Sequence, residues 1–197
     1  GIHMRVVVTD DHRIVREGIR WMLSNEPEIE IVAEAESGGA LLALLETVQT
    51  DVVLLDIRMP GKSGLDTLEE IRRSMPDLPV LMLTMYEDTQ LVHRAVRLGA
   101  DGYLPKSATR GDLITAILTV GRGGGYLHGS LTQSLVRTLV ENDSSRELTL
   151  SPDELGALQL VARGASNKEI AMRTGMPGPA VKACLHRVFS MLGASTR

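Results

Sequence analysis

Short runs of apolar residues alternate with amphipathic segments over residues 4–123. The runs are rich in Val, Ile and Leu, which is typical of strands that are buried on both faces of a sheet. The segments between them place apolar residues at helical spacing, as at Val15, Ile19 and Leu23. The pattern predicts strands at residues 4–11, 29–35, 51–57, 79–85 and 101–105, and helices at residues 12–27, 38–49, 64–76, 87–100 and 109–123.

Five successive strand–helix units favour an α/β fold, a doubly wound five-stranded parallel sheet with helices on both faces. In such sheets, ligands bind beyond the carboxyl ends of the strands, close to the point where the strand order reverses. Polar residues at the strand ends are therefore the first candidates for a functional site.

The rest of the chain has a different pattern. A glycine-rich stretch, "GRGGG" at residues 121–125, is a candidate hinge. Ser151 and Pro152 form a typical helix start, and three short helices follow with a tight turn between the last two, which is typical of a helix-turn-helix. The sequence thus predicts a first domain at 4–122, a linker with a helix (130–142) at 123–147, and a small all-α domain at 148–197 with helices at 151–164, 166–175 and 178–192.

Charge divides along the same boundary. The chain has a net charge of −4, but residues 1–147 carry −7 and residues 148–197 carry +3, so we expect the two parts to have different partners. The single cysteine, Cys184, permits no internal disulfide, which favours a reducing cytoplasm. No apolar run approaches the roughly 20 residues of a membrane span, so we expect no membrane association.

Polar residues occur at the ends of four predicted strands. Asp10 and Asp11 end the first strand, Asp56 ends the third, Thr84 ends the fourth, and Lys106 follows the fifth. Each alone has an ordinary structural explanation, such as a helix cap or a solvated surface charge. Their occurrence together at successive ends of one sheet favours a functional site instead.

The residue types at these strand ends indicate phosphoryl chemistry. Three clustered carboxylates repel one another, and a divalent cation relieves that repulsion. Mg²⁺ suits such a site because it prefers hard oxygen ligands and keeps waters that a phosphate oxygen can replace. A carboxylate beside Mg²⁺ and a lysine can attack phosphorus and form an aspartyl phosphate. Thr84 and Lys106 would then hold the phosphoryl oxygens.

A P-loop and an aspartate-nucleophile phosphatase are each excluded by one residue, and a histidine metal site is excluded by the spacing of the histidines. "GKS" at 61–63 would need a glycine at position 56 to form a P-loop, and Asp56 stands there. A phosphatase with an aspartate nucleophile would need a second aspartate at position 58, which is arginine. The five histidines, at positions 3, 12, 93, 128 and 186, show no metal-ligand spacing.

Residues 4–122 resemble the receiver domain of two-component response regulators, a flavodoxin-like fold. The matching pieces are "DDH" at 10–12, "LLDIRMP" at 54–60, "LT" at 83–84 and "GYLPK" at 102–106. The resemblance implies that Asp56 is the phosphoacceptor for a sensor histidine kinase. It also implies no enzymatic turnover beyond slow self-dephosphorylation.

The same resemblance implies roles for the surrounding residues. Asp11, Asp56 and the backbone carbonyl of Arg58 would bind Mg²⁺ directly, and Asp10 would bind it through water. The switch that detects phosphorylation would consist of Thr84, Lys106 and Tyr103. Many receivers have a proline after this lysine, whereas here Pro105 precedes Lys106, so we expect the fifth strand to end or bend at Pro105.

Residues 148–197 resemble the helix-turn-helix of the NarL/FixJ/LuxR type, through "LSPDE", "ARGASNKEIA" and "AVK". The resemblance implies that helix 178–192 reads a DNA major groove. The implied contacts are Lys182, Arg187 and His186 on that helix, with Lys168 and Arg173 near backbone phosphates. Members of the family continue into a fourth helix, and we expect that last helix to be missing here.

Two functions are compatible with the sequence. In the first, phosphorylation shifts a two-state equilibrium, and the protein binds double-stranded DNA as a homodimer and regulates transcription. Helix 12–24 or the helix after Thr109 would form the dimer contact by family resemblance. In the second, the helical tail binds a protein partner instead of DNA. A steep dependence of binding on salt would distinguish DNA from protein.

Overall fold

The structure, a computed structural model, describes residues 3–85, 89–128, 151–162, 165, 167–181 and 183–184. The strands are β1 (Met4–Thr9), β2 (Ile29–Ala35), β3 (Val52–Asp56), β4 (Val80–Thr84), β5 (Gly102–Pro105) and β6 (Tyr126–Leu127). The helices are α1 (Arg13–Leu23), α2 (Gly38–Leu45), α3 (Gly64–Ser74), α4 (Thr89–Arg97), α5 (Arg110–Gly121), α6 (Pro152–Ala162) and α7 (Asn167–Thr174). The predicted helix at 130–142 lies outside the described residues.

The strands form one parallel sheet in the order β2-β1-β3-β4-β5-β6. The chain passes from β1 to β2 in one direction and then returns across β1 to β3, so the strand order reverses between β1 and β3. The predicted doubly wound parallel sheet is confirmed. At its carboxyl edge, the reversal point lies directly beside Asp10 and Asp56.

The predicted number of five strands is wrong, because β6 adds a sixth strand at the edge. Tyr126 pairs with Gly102 and Leu127 with Tyr103. A strand of two residues has no detectable alternation of apolar and polar positions, and this one follows a glycine-rich stretch. For both reasons the sequence assigns these two residues to the linker.

Two apolar layers, one on each face, hold the sheet between its helices. Val7, Leu55 and Met82 pack on the face that α2, α3 and α4 cover, together with Leu41 and Leu68. The opposite layer, under α1 and α5, includes Val6, Val8, Leu54, Leu81 and Ile117. Because helices cover both faces, the sequences of the strands are unbroken apolar runs and do not alternate between apolar and polar residues.

Capping boxes fix the starts of the two helices that follow β3 and β5. Ser63 accepts a hydrogen bond from the Asp66 N–H, and Asp66 accepts one from the Ser63 N–H. Thr109 and Asp112 form the same reciprocal pair before α5. Each cap stabilises its helix by about 1 kcal/mol. The loops that carry the residues after Asp56 and Lys106 are therefore anchored at their far ends.

The C-terminal part contains α6, α7 and further helical residues at 178–181 and 183–184. Ala157, Ile170, Val181 and Cys184 are buried together in this part, in the same apolar cluster as Leu127 of β6. Within the described ranges, no helix has the length and apolar character that crossing a membrane requires.

Candidate functional site

Four strands deliver polar residues to one buried point at the carboxyl edge of the sheet. Asp10 is fully buried, and Asp56 and Thr84 are each only 3% exposed. The Lys106 ammonium lies 2.5 Å from Asp10 Oδ2 and 3.1 Å from Asp56 Oδ2. The structure therefore brings together side chains that are up to 96 positions apart in the sequence.

Lys106 is positioned by the end of β5. The strand ends at Pro105, as predicted, and the Lys106 N–H donates to the Thr84 carbonyl at 2.7 Å. The Ala108 N–H donates to the Pro105 carbonyl at 3.0 Å, which turns the chain toward α5. This main-chain frame directs the lysine side chain, which is only 7% exposed, at the two carboxylates.

Burial is the largest influence on the pKa of the Asp56 carboxyl group. Burial and the neighbouring Asp10 carboxylate raise the pKa of Asp56 from 3.8 to about 6. The Lys106 ammonium and the Arg58 N–H, which donates to Asp56 Oδ1 at 3.4 Å, act in the opposite direction. Because burial dominates, the carboxylate is poorly solvated, and a cation near it would be bound strongly.

The raised pKa of Asp56 predicts a pH-dependent stability difference. The folded state favours the protonated form, so the free energy of unfolding falls as pH rises from 3.8 to about 6. Asp56→Asn removes this cost. We expect the variant to be more stable than wild type by on the order of 2 kcal/mol at pH 7 and about equally stable near pH 4. Urea unfolding at both pH values measures the difference; a difference independent of pH would contradict the prediction.

The loop between β1 and α1 and the first turn of α1 each add one more group to the site. The His12 N–H donates to Asp10 Oδ1 at 2.9 Å, and the Arg16 guanidinium donates to the Asp10 carbonyl at 2.6 Å. The imidazole Nδ1 of His12 lies 3.3 Å from Asp10 Oδ1 and 3.2 Å from Asp11 Oδ1. Sequence reasoning missed His12, although its position directly after Asp10 and Asp11 was the available signal.

Asp10, Asp11, His12 and Asp56 form a cluster in which one potential ligand atom of each lies within 4.8 Å of all the others. Three carboxylates against the one Lys106 ammonium leave an excess of negative charge at the site. Hard oxygen donors with excess negative charge fit Mg²⁺. The donor set is therefore compatible with the cation that the sequence predicts.

Tyr103, the predicted switch aromatic, lies on β5 and is 1% exposed. Its backbone carbonyl accepts a hydrogen bond from the His128 N–H at 3.2 Å, immediately after β6. His128 also places Nε2 at 3.4 Å from Asp112 Oδ2, at the start of α5. The main chain of Tyr103 is therefore joined directly to the segment that leads out of the sheet.

The predicted DNA contacts divide into two groups. Lys168 and Arg173 are exposed on α7. Lys182, His186 and Arg187 lie outside the described residues. The structure thus shows two exposed cations on one short helix of the C-terminal part.

Comparisons with known proteins identify the family of the first domain and extend over nearly all of the chain. Residues 6–118 match the response regulator receiver domain. Over 202 residues the chain is 34% identical to the oxygen regulatory protein NreC of Staphylococcus haemolyticus, a match that covers 98% of this chain and 93% of NreC.

Two known structures are similar in fold. A two-component response regulator of the LuxR family from Aurantimonas sp. SI85-9A1 matches with a TM-score of 0.67 at 30% identity, covering 70% of this chain and 99% of its own. A structure of two RcsB dimers bound to two parallel DNAs matches with a TM-score of 0.64 at 28% identity, covering 97% and 92%. With its acidic site at the strand ends and these full-length matches, the chain belongs to the response regulators of the NarL/FixJ/LuxR type, a class of phosphorylation-controlled transcription regulators.

Proposed function

We propose that a sensor histidine kinase phosphorylates Asp56 and that this modification controls binding of the C-terminal part to double-stranded DNA. The observation that carries the proposal is the buried contact of Lys106 with Asp56 and Asp10 at the edge of the sheet. Burying a lysine between two carboxylates costs desolvation free energy, so stability alone does not explain this contact. Binding of a phosphoryl group on Asp56 by the lysine does explain it.

The transfer step follows from the position of Asp56. One Asp56 oxygen attacks phosphorus, the new O–P bond forms as the N–P bond to the kinase histidine breaks, and the electron pair stays on the imidazole. Mg²⁺, held by Asp11, Asp56 and the Arg58 carbonyl and through water by Asp10, would neutralise charge on the phosphoryl oxygens. Lys106 and Thr84 would bind those oxygens as the carboxylate charge is replaced. Water would remove the phosphoryl group only slowly.

The signal has a short path out of the site. A shift of Lys106 toward the phosphoryl group would move the end of β5, because Lys106 directly follows Pro105. It would also act on the end of β4, because the Lys106 N–H donates to the Thr84 carbonyl. Tyr103 on the same strand accepts a hydrogen bond through its carbonyl from the His128 N–H.

We place the receiver at 4–122, the linker at 123–147 and the helix-turn-helix output domain at 148–197. β6 would therefore carry the shift directly into the linker.

The proposed DNA contacts are cationic. Lys168 and Arg173 on α7 would contact phosphates, and Lys182, His186 and Arg187 on helix 178–192 would face the major groove. RcsB, a protein of similar structure, is found as dimers bound to DNA. We infer a homodimer on activation by analogy, with a two-fold DNA site. We also place the protein in the cytoplasm, where kinase and DNA are available.

A genomic selection experiment tests the proposal. The protein, treated with Mg²⁺ and a small phosphodonor, is incubated with sheared genomic DNA, and the retained fragments are sequenced. We expect enrichment of a shared two-fold motif that disappears with Asp56→Asn. Retention that is equal with and without phosphodonor would contradict phosphorylation control, and absence of any enriched motif would favour a protein partner for the helical tail.

The two exposed cations of α7 give a quantitative prediction. Each phosphate contact releases counterions, so Lys168→Ala and Arg173→Ala should each reduce the slope of log affinity against log salt by about 1. The measurement is fluorescence anisotropy of a DNA fragment from the selection at several salt concentrations. Arg73→Ala, at a cation that is 71% exposed on α3, is the matched control and should leave the slope unchanged.

A further inference from the structure

We propose that His12 is a nitrogen ligand of the metal site and gives it affinity for transition metals that bind imidazole, beyond its affinity for Mg²⁺. The inference rests on the proposed function, because it uses the same acidic site. It adds a ligand that neither the carboxylates nor the Arg58 carbonyl supplies.

The distances around His12 match those of ligands on a common ion. Two ligand atoms at right angles on a cation with bonds of about 2.1 Å lie about 3.0 Å apart. His12 Nδ1 lies 3.2 Å from Asp11 Oδ1 and 3.3 Å from Asp10 Oδ1. Small adjustments of the two side chains would therefore place the imidazole nitrogen and the Asp11 oxygen as neighbouring ligands of one metal ion, next to Asp10.

The imidazole is hydrogen-bonded through Nδ1 to Asp10 Oδ1 at 3.3 Å, which leaves the nearby Asp11 oxygen without a partner. Asp11 Oδ1 is buried and has no hydrogen-bond partner within the described residues, although the imidazole nitrogen is 3.2 Å away. The two atoms are close but are not aligned as donor and acceptor. In the tautomer that carries its proton on Nε2, the Nδ1 lone pair and a lone pair of Asp11 Oδ1 can instead point at a shared cation.

The backbone fixes His12, while its ring is held by a long hydrogen bond of 3.3 Å between Nδ1 and Asp10 Oδ1. Its N–H is bonded to Asp10 Oδ1, and it is the residue before the first turn of α1, where its side chain makes no capping hydrogen bond. The side chain is 64% exposed, so rotation of the imidazole meets little resistance. An imidazole suits Co²⁺, Ni²⁺ or Zn²⁺, whereas Mg²⁺ prefers oxygen, so His12 should affect the two classes of metal differently.

The test compares the wild type with His12→Gln, a variant that keeps a hydrogen-bonding side chain but removes the nitrogen ligand. Calorimetric titrations with Mg²⁺ alone and with Co²⁺ alone give both affinities. We expect the variant to bind Co²⁺ at least about tenfold more weakly and Mg²⁺ with unchanged affinity. The proton NMR spectrum of the wild type with Co²⁺ should contain a strongly shifted, exchangeable imidazole N–H signal that the variant lacks. His128→Gln, a histidine outside the site, is the control and should match the wild type.

The outcomes separate the two proposals. Equal Co²⁺ affinities of the wild type and His12→Gln, with Mg²⁺ bound by both, would overturn the role of His12 and leave the receiver site intact. Failure of the wild type to bind Mg²⁺ would instead count against the proposed phosphoacceptor site. Selective loss of Co²⁺ affinity, together with loss of the shifted signal, would establish His12 as a ligand.

Discussion

Asparagine at position 56 should abolish phosphorylation and leave the receiver folded. The amide has almost the size of the carboxyl group, so it fits the same buried space beside Lys106, but it lacks the negative oxygen that attacks phosphorus. The substitution also removes an unfavourably buried carboxylate, so loss of phosphorylation would not reflect unfolding. Incubation with a phosphodonor and Mg²⁺, followed by intact-mass measurement, should show a phosphorylated fraction for wild type and none for the variant.

The matched control for this experiment is Asp77→Asn. Asp77 is exposed and follows α3, outside the acidic cluster, so its substitution should leave the phosphorylated fraction unchanged. Acid-labile phosphate retained on Asp56→Asn would show that another residue is the acceptor. Circular dichroism of both variants should match that of the wild type.

The parallel sheet and its site could be predicted from the sequence for one physical reason. Strands covered on both faces must be apolar along their whole length, so a charged residue ends the run and marks the edge of the sheet. Asp56 after Val52–Leu55 is the clearest case. Because the carboxyl ends of parallel strands share one edge, Asp10, Thr84 and Lys106 could be expected near Asp56 before their contacts were known.

The two features that the sequence did not predict, β6 and the position of His12 in the acidic cluster, have different physical causes. β6 has only two residues, and its pairing with β5 depends on the position of the glycine-rich turn before it. His12 is different, because its neighbours in the cluster are aspartates and no spacing among the five histidines indicates such a mixed group. Neither the short strand nor a mixed carboxylate–imidazole cluster has a period along the chain.

β6 also changes the interpretation of the linker. Through a flexible linker, phosphorylation could act on the proposed helix-turn-helix domain by dimerisation or by release, but not through a continuous series of contacts. Here the described part of that segment, which ends at His128, is hydrogen-bonded to the backbone of Tyr103, and Leu127 is buried in the same cluster as Ala157 of α6. The path from the acidic site to the C-terminal helices therefore consists of packed and hydrogen-bonded residues in the described structure.

Replacement of Gly64 by alanine should destabilise the protein strongly. A Cβ at this position would lie 1.9 Å from the Asp56 carbonyl oxygen and 2.8 Å from the Ile57 Cα, and both are backbone atoms that no rotamer change can move. The close approach is needed because the Gly64 N–H donates to the Ile57 carbonyl at 2.7 Å, which closes the loop after β3. We expect a loss of about 3 kcal/mol in the free energy of unfolding.

The clash at Gly64 would act on the phosphoacceptor as well as on stability, because relief requires the backbone at Asp56 to shift away from α3. We therefore expect Gly64→Ala to slow phosphorylation even at temperatures where it stays folded. Gly39→Ala is the control: a Cβ there meets no atom within 4 Å, and alanine favours the helix by roughly 0.5–1 kcal/mol. Urea unfolding measures both variants, and equal stability of Gly64→Ala and the wild type would show that the backbone of the loop adapts and does not constrain Asp56.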